Sequence, residues 1–326
     1  MLSRVGNSIY WLGRYLERSE NYSRFIDVNF NLMLDLPPDV EEQWEPLIRA
    51  TGDYELYMDL YENFDRHTAI YFLAFDEKNP NSLYVSISNA RENARVVREH
   101  LTKESWEKLN ELYLFVKEGA QNEVWKREDS TRFFMDVKYS IQLLYGIADN
   151  SVARTDGWYF SHLGQYLERA DKTSRILDVK YHILLPSVDE VGSPLDFLHW
   201  TALLKSVSGF NIYRRFYGRI DPVRIVELLV LNKYFPRSIF FCLTNAEICL
   251  RKLSGTSGKG YSNTAEKKLG ALQSRLEYQD VNDVINEGLH EYLDGLQVEI
   301  NKISDSIHDN FFTLNKTFVN QHNSQE

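Results

Sequence analysis

The sequence predicts an all-α protein, a multi-helix bundle, on three grounds. Apolar residues recur at three- and four-residue spacing over long windows, as in Ile9, Leu12, Leu16, Ile26, Phe30 and Met33, the period of a helix with a buried face. Sustained period-two alternation, the mark of a half-buried strand, is scarce. Several segments also open on helix-start signals, in which a short polar side chain precedes a first-turn proline or stands three residues before a glutamate.

The first helix, near 3–34, follows the spacing just given and closes at Leu36-Pro37-Pro38, because proline offers no N–H and restrains the residue before it. Helical periodicity resumes near 44–61 and 65–75, and Asn79-Pro80 breaks it ahead of a helix near 82–100. Two more fall near 103–118 and 130–150. A long helix near 155–185 ends at Leu185-Pro186. Ser193-Pro194 opens 194–206 and Asp221-Pro222 opens 222–232, each an N-cap before an N1 proline. A helix near 237–253 follows, Asn263 with Glu266 gives a capping-box start to 264–279, and the last helix runs near 281–318.

Within this pattern one stretch recurs. Leu12 to Val28 reads LGRYLERSENYSRFIDV and Leu163 to Val179 reads LGQYLERADKTSRILDV, with 10 of 17 positions identical at a constant offset of 151. The correspondence resumes at an offset of 156: Phe72-Leu73-Ala74-Phe75 answers Leu228-Leu229-Val230-Leu231, Pro80-Asn81-Ser82 answers Pro236-Arg237-Ser238, Asn89-Ala90 answers Asn245-Ala246, and Arg95 answers Arg251. An internal duplication is the expected cause. It predicts two equivalent helical repeats, roughly 1–150 and 151–326, packed into a single body over 1–326.

At 326 residues with 43% hydrophobic and 13% aromatic content, the chain has material for a substantial core. A net charge of -10 argues against nucleic acid or an anionic membrane as a general partner, since both are bound by dense Lys and Arg. The N-terminus lacks a signal-peptide apolar region, and the greasiest run, Ile225 to Leu231, is short and interrupted by Glu227. A cytoplasmic location is expected. Cys242 and Cys249 sit seven apart on one predicted helix, roughly 10 Å along its axis, too far to bridge, and read as buried thiols. Ser254 to Gly260 resembles a phosphate-binding loop only superficially: Leu253 and Gly260 stand where Gly and Ser or Thr are required, so a mobile inter-helix loop is expected.

The charges shared by the two copies need a reason that folding alone rarely supplies. On the first helix Tyr10, Arg14, Glu17, Asn21, Arg24 and Val28 form a ladder along one side, with Arg18 on its flank. Its counterpart runs Ser161, Gln165, Glu168, Lys172, Arg175 and Val179, with Arg169 beside it. Two readings stay open. In one, the charges pair between helices and fix packing, Glu17 with Arg95 and Glu168 with Arg251. In the other, Arg14, Arg18 and Arg24, joined by Arg91 and Arg95, line a cleft for an anionic group, for which guanidinium forks are suited. Glu168, Arg169, Arg175 and Arg251 then serve structure, while Arg14, Glu17, Arg18, Asn21, Arg24, Arg91 and Arg95 bind substrate.

Asp27 with Glu20, and Asp178 with Asp171, raise the option of a paired-carboxylate acid-base site, against the commoner helix-helix salt bridge. No catalytic residue is assigned. Glu287-x-x-His290, Asp196-x-x-His199 and Asp305-x-x-His308 are too incomplete for the di-iron pattern of helical bundles, so no metal is expected.

The blocks MLSRVGNSIYWLGRYLERSENYSR, NPNSLYVSISNARENAR and ARTDGWYFSHLGQYLERADKTSR resemble the alpha-E family, bacterial helical proteins named for a Glu-Arg motif. The resemblance covers nearly the whole chain. It places the motif on Glu17-Arg18 and Glu168-Arg169, and an Arg-Glu-Asn block on Arg91-Glu92-Asn93, where the second copy departs with Glu247-Ile248-Cys249. Members occur beside or fused to an ATP-grasp ligase, often with a transglutaminase-like peptidase. The resemblance therefore implies an accessory partner of an amide ligase that helps bind a carboxylate-bearing or peptide substrate, with no cofactor on this chain and ATP and Mg²⁺ on the partner. A stand-alone enzyme using Glu17 or Asp27, a non-catalytic scaffold, and a homo-oligomer remain compatible with the sequence.

Overall fold

The computed structural model describes residues 1–35, 44–183 and 193–313. The proline breaks at 36–38 and 185–186, and the final residues of the predicted 281–318 helix, lie outside them. Among the described residues the chain is a succession of α-helices and short helical turns without a strand, as the periodicity predicts. The helices are α1 Ser3–Asp35, α2 Glu45–Thr51, α3 Tyr54–Leu60, α4 Arg66–Ala74, α5 Leu83–Val96, α6 Lys103–Gln121, α7 Ser130–Ser151, α8 Asp156–Ile183, α9 Pro194–Ser206, α10 Phe210–Phe216, α11 Pro222–Val226, α12 Ile239–Ser254, α13 Thr264–Tyr278, α14 Val281–Glu287 and α15 Leu289–Ile307.

Several differences from the sequence expectation have local causes. The predicted 44–61 helix divides into α2 and α3 because Gly52 adopts a left-handed φ of 81°. The predicted last helix divides at Gly288, where φ is 92°, an angle that glycine adopts without strain. α10 was missed: it is 7 residues long, too short to show a helical period, and no side-chain cap announces it. The N-caps of α9 and α11 behave as expected, Ser193 accepting from Asp196 N and Asp221 from Val223 N and Arg224 N. Asn263 accepts from Glu266 N, but Glu266 turns its carboxylate to Thr256 Oγ1 and Ser262 N. That carboxylate ties the 254–260 segment to the start of α13.

α1 and α8 are the central elements. Both are buried on nearly all sides, and they pack most extensively on each other. α5 and α7 cover the rest of α1, while α12 and α15 cover the rest of α8. The short helices cross over: α2 of the first half lies on α8, and α9 of the second lies on α1. One hydrophobic cluster fills each half, around Phe72, Leu83, Ile87 and Phe134 in the first and around Leu228, Leu243, Leu269 and Leu293 in the second.

Contacts in one half recur in the other with both residues displaced together. Buried Tyr57 donates to Asn63 O at 2.7 Å and buried Tyr213 to Arg219 O at 2.8 Å, both pairs displaced by 156. Asp65 and Asp221 cap α4 and α11. Ser82 and Ser238 cap α5 and α12.

Glycine sets how closely the central helices approach. A Cβ on Gly13 would lie 2.1 Å from Ser161 O, and one on Gly164 would lie 2.3 Å from Tyr10 O. Both obstacles are helix backbone, so neither can swing aside. Gly13→Ala and Gly164→Ala are each expected to lower unfolding free energy by about 1–3 kcal/mol or more. Gly146→Ala on α7, where nothing lies within 4 Å, should raise it by about 0.5–1 kcal/mol through helix propensity. Urea titration of the three variants checks both signs.

Candidate functional site in the seam between α1 and α8

The close crossing brings the two Glu-Arg pairs face to face. Arg18 donates from Nε to Glu168 Oε1 at 2.7 Å and from Nη2 to Oε2 at 3.3 Å. Arg169 donates from Nε and Nη2 to Glu17 Oε1 and Oε2 at 2.8 and 2.7 Å. Exchanging each residue for its counterpart 151 positions away turns one pair into the other, so each motif's glutamate is held by the other motif's arginine.

Around this centre the charges form two linked clusters. Glu168 also accepts from Arg14 Nε at 2.7 Å, and Arg14 Nη1 donates to Tyr10 Oη and to Ser304 Oγ of α15. Glu17 accepts further from Asn21 Nδ2 at 3.0 Å, Tyr145 Oη at 3.1 Å and Arg237 Nη1 at 3.3 Å. Glu20 takes Arg24 at 2.6 Å and Arg237 at 3.0 Å, together with Gln142 Nε2. Asp171 takes Arg175 at 3.0 Å and Lys172 at 3.2 Å. The residues opening α12 and α5 complete the arrangement: Arg237 Nη1 donates to Asn21 Oδ1, while Arg18 Nη1 donates to Asn81 Oδ1.

The centre of the seam is sealed from solvent. Glu17 and Glu168 are 0% exposed, and Arg14, Asn21 and Arg24 are 8%, 3% and 7% exposed. The expected open cleft is therefore replaced by a helix-helix interface. Charges are tolerated there because each carboxylate meets at least two cationic or hydrogen-bonding groups, and good pairing geometry offsets desolvation.

Sequence pairing across neighbouring helices needs correction as well. Arg95 does not reach Glu17: it pairs with Glu92 one turn away on its own helix, with its side chain 67% exposed. Arg251 pairs with Glu247 and not with Glu168. Arg91 is drawn onto α6, donating to Asn110 Oδ1 at 2.8 Å and lying over the rings of Tyr113 and Trp106. Arg14, Glu17, Arg18, Asn21 and Arg24 do come together, as do Glu168, Arg169 and Arg175. The paired-carboxylate option dissolves, because Asp27 accepts from Lys138 Nζ at 3.0 Å and Asp178 faces His290 Nδ1 at 2.7 Å.

Glu20, Asp171, Lys172 and Arg237 also belong to the network; the sequence placed Lys172 in the second ladder and offered Glu20 and Asp171 only as halves of carboxylate pairs, not as partners of these arginines. Glu20-Arg24 and Asp171-Arg175 share an i, i+4 acid-base spacing in both copies, a signal that was present. Arg237 was marked only by its alignment with Asn81.

The electrostatics oppose acid-base work by these glutamates. Burial alone would raise the Glu17 carboxyl, but Arg169 and Arg237 more than compensate and hold it below its ordinary range. Glu168 is lowered likewise, Arg18 and Arg14 outweighing burial. A general acid or base at neutral pH needs the opposite shift. Arg24 is lowered by burial and by the neighbouring Arg237 guanidinium, with which it shares Glu20. Cys242 and Cys249 are free and buried, and burial pushes both thiols up to about 12. Among the described residues no group of three or more His, Cys, Asp or Glu could hold a metal ion, and no helix is long and apolar enough to cross a membrane.

Cations outnumber acids in the seam. Arg14, Arg18, Arg24, Arg169, Lys172, Arg175 and Arg237 face Glu17, Glu20, Glu168 and Asp171. Asp53, which reaches the network through Tyr22 and Asn81, adds one further carboxylate. A formal surplus of positive charge remains among the described residues. Arg175 is its most open member: Nε engages Asp171, Nη1 and Nη2 have no acceptor among the described residues, and the side chain is 24% exposed.

Acid sensitivity follows from the carboxylates. Burial disfavours ionised Glu20, but Arg237 and Arg24 overcome it and bring its carboxyl from 4.5 to about 2. The unfolded chain therefore binds the proton first as pH falls, and this contribution is complete above the ordinary value and lost as pH falls towards the folded one. Urea-unfolding free energy should drop between about pH 5 and pH 2, Glu20 alone supplying on the order of 3 kcal/mol. The Glu20→Gln variant should lack that share of the pH dependence.

The geometry can be set beside known proteins. The Alpha-E family, described as a predicted alpha-helical domain with a conserved ER motif, matches residues 1–312. Uncharacterised proteins of Mycobacterium bovis and Mycobacterium tuberculosis are 23% identical over 327 aligned residues, covering 93% of this chain and 36% of each relative. The chain thus spans about a third of the length of these curated relatives. No solved structure matches. The sequence carries Glu-Arg twice, at Glu17-Arg18 and Glu168-Arg169, and with the family match over nearly its whole length the chain belongs to the Alpha-E family.

Proposed function

We propose that the chain is a non-catalytic partner of an ATP-grasp type amide ligase and holds the carboxylate end of that enzyme's peptide or amino-acid substrate. ATP and Mg²⁺ belong to the ligase. The observation that carries this reading is the surplus of cations in the α1–α8 seam, and within it the open fork of Arg175. Its two terminal nitrogens present four N–H donors without a protein acceptor among the described residues, in the planar geometry that matches a carboxylate. Gly52 leaves room beside them: a Cβ there would lie 2.6 Å from Arg175 Nη1. Buried Lys172 lies one turn before on the same helix, sharing Asp171.

This reading divides the ladder by role. Glu17, Arg18, Glu168 and Arg169 close their hydrogen bonds on one another and hold the frame, while Arg175 and Lys172 meet the anion. Arg14 and Asn21 are committed to Glu168, Ser304 and Glu17, which makes them positioning groups. Two further facts favour a partner over an independent enzyme. The glutamates are held ionised, and in the mycobacterial relatives the matching region is about a third of a longer chain, as expected of a unit that works against other domains.

Affinity purification of the tagged chain from its native cells is expected to recover an ATP-grasp protein in stoichiometric amount. In the reconstituted pair, Arg175→Ala should lower product formation about tenfold or more, the scale of one lost charged hydrogen bond, with helicity unchanged. Turnover by the purified chain alone, or an undiminished rate with Arg175→Ala, contradicts the proposal.

A further inference from the structure

Two surfaces that occupy equivalent places in the halves carry opposite charge. Residues 53–65 and 209–221 build the same unit, a short helix (α3 or α10) followed by a turn whose backbone accepts from a buried tyrosine hydroxyl. The aspartates that close the unit, Asp65 and Asp221, both cap the next helix. Backbone and caps are alike, so the fold places no demand on the side chains that face solvent. On the first unit the exposed charges are Glu55, Asp59, Glu62 and the cap Asp65; on the second, Arg214, Arg215 and Arg219 stand against the cap Asp221 alone.

Elsewhere on the surface, charges of both signs interleave and pair along a helix, as Glu45 does with Arg49, Lys103 with Glu107 and Lys108 with Glu111. In these two units the signs are segregated. Among the described residues Glu55, Asp59, Glu62, Arg214, Arg215 and Arg219 form no ion pair, and none joins one block to the other. Each block also holds a large apolar side chain among its charges: Met58 is 44% exposed and Phe216 50%. An apolar centre with a polar surround is the anatomy of an interface.

We infer that the two blocks are the two sides of one contact between copies of this chain, the acidic unit of one molecule seating the basic unit of the next. A second copy is the occupant because the complement of each block is present on the same molecule. Three carboxylates with a thioether meet three guanidiniums with an aromatic ring, and both combinations attract: guanidinium binds carboxylate through two parallel hydrogen bonds, and methionine sulfur packs well on a ring. With a net charge of -10, copies repel one another on average, so local complementarity is what orients their encounter. The joined surfaces differ, which makes the contact heterologous, and such contacts build closed rings or open arrays. None of the six residues belongs to the α1–α8 network, so the contact stands whether or not Arg175 binds a substrate.

Sedimentation velocity of the full chain over a concentration series tests the contact. The mean mass should rise above that of one chain as concentration approaches about 200 µM in about 20 mM NaCl, where the Debye length is roughly 20 Å. Affinity should fall at least about tenfold in about 0.5 M NaCl. Arg214→Glu with Arg215→Glu, and separately Asp59→Lys with Glu62→Lys, should each weaken self-association about tenfold or more with helicity unchanged. Mixing the two variants should restore association, since each retains the block that the other has lost. A chain that stays monomeric throughout the series, leaving the basic unit to an acidic partner of another kind, would overturn the inference. So would association that neither salt nor either double substitution alters, or two folded variants that remain apart when mixed.

Discussion

The rest of the structure depends on one constraint: two long helices cross with their backbones almost touching and with four motif charges buried at the crossing. Gly13 and Gly164 permit the approach, since each faces the carbonyl of the opposite helix with no room for a Cβ. The approach in turn removes water from Glu17 and Glu168. Neither could remain ionised there without the opposing arginine, because an unpaired buried carboxylate is several kcal/mol less stable than a paired one. Close packing and charge pairing are consequently a single device, and a change in either disturbs the other.

From this crossing the reciprocal arrangement extends outward. α2 and α9 each lie over the central helix of the opposite half, so neither half could be lifted away without stripping cover from the other. The chain ends these two helices with residues of positive φ, Gly52 at 81° and Ser208 at 54°. Each meets the corresponding arginine of the facing helix: Arg175 lies against Gly52, and Arg24 donates to Ser208 Oγ. The serine satisfies Arg24, whereas the glycine offers Arg175 no side chain, and among the described residues its terminal nitrogens have no acceptor. That difference of one side chain is the physical basis for assigning anion binding to the second half of the network and framing to the first.

Much of the fold was legible because helices announce themselves locally. Spacing and caps located α1, α5 to α9, α12 and α13, and the recurrence of LERSENYSR as LERADKTSR marked Glu17, Arg18, Arg24 and their counterparts as a set. What could not be read was the partner of each charge. The stripe that carries Arg14, Glu17, Asn21 and Arg24 looks like a solvent-facing side by polarity alone, and only the facing helix turns it into an interior. Arg91 and Arg95 were misplaced for the same reason. Nearness in the aligned repeats does not convey which way a side chain points, and Glu92 and Asn110 were closer acceptors. Gly52 and Gly288 were missed as breaks because apolar periodicity continues through both.

The central claim is that the two Glu-Arg pairs act as one reciprocal lock. A double-mutant cycle measures it most directly, using Arg18→Met with Glu168→Gln and, separately, Arg169→Met with Glu17→Gln, each read by urea unfolding. The account predicts coupling energies of similar size for the two pairs, on the order of 1–3 kcal/mol each. Additive effects in either cycle, with coupling below about 0.5 kcal/mol, would contradict it.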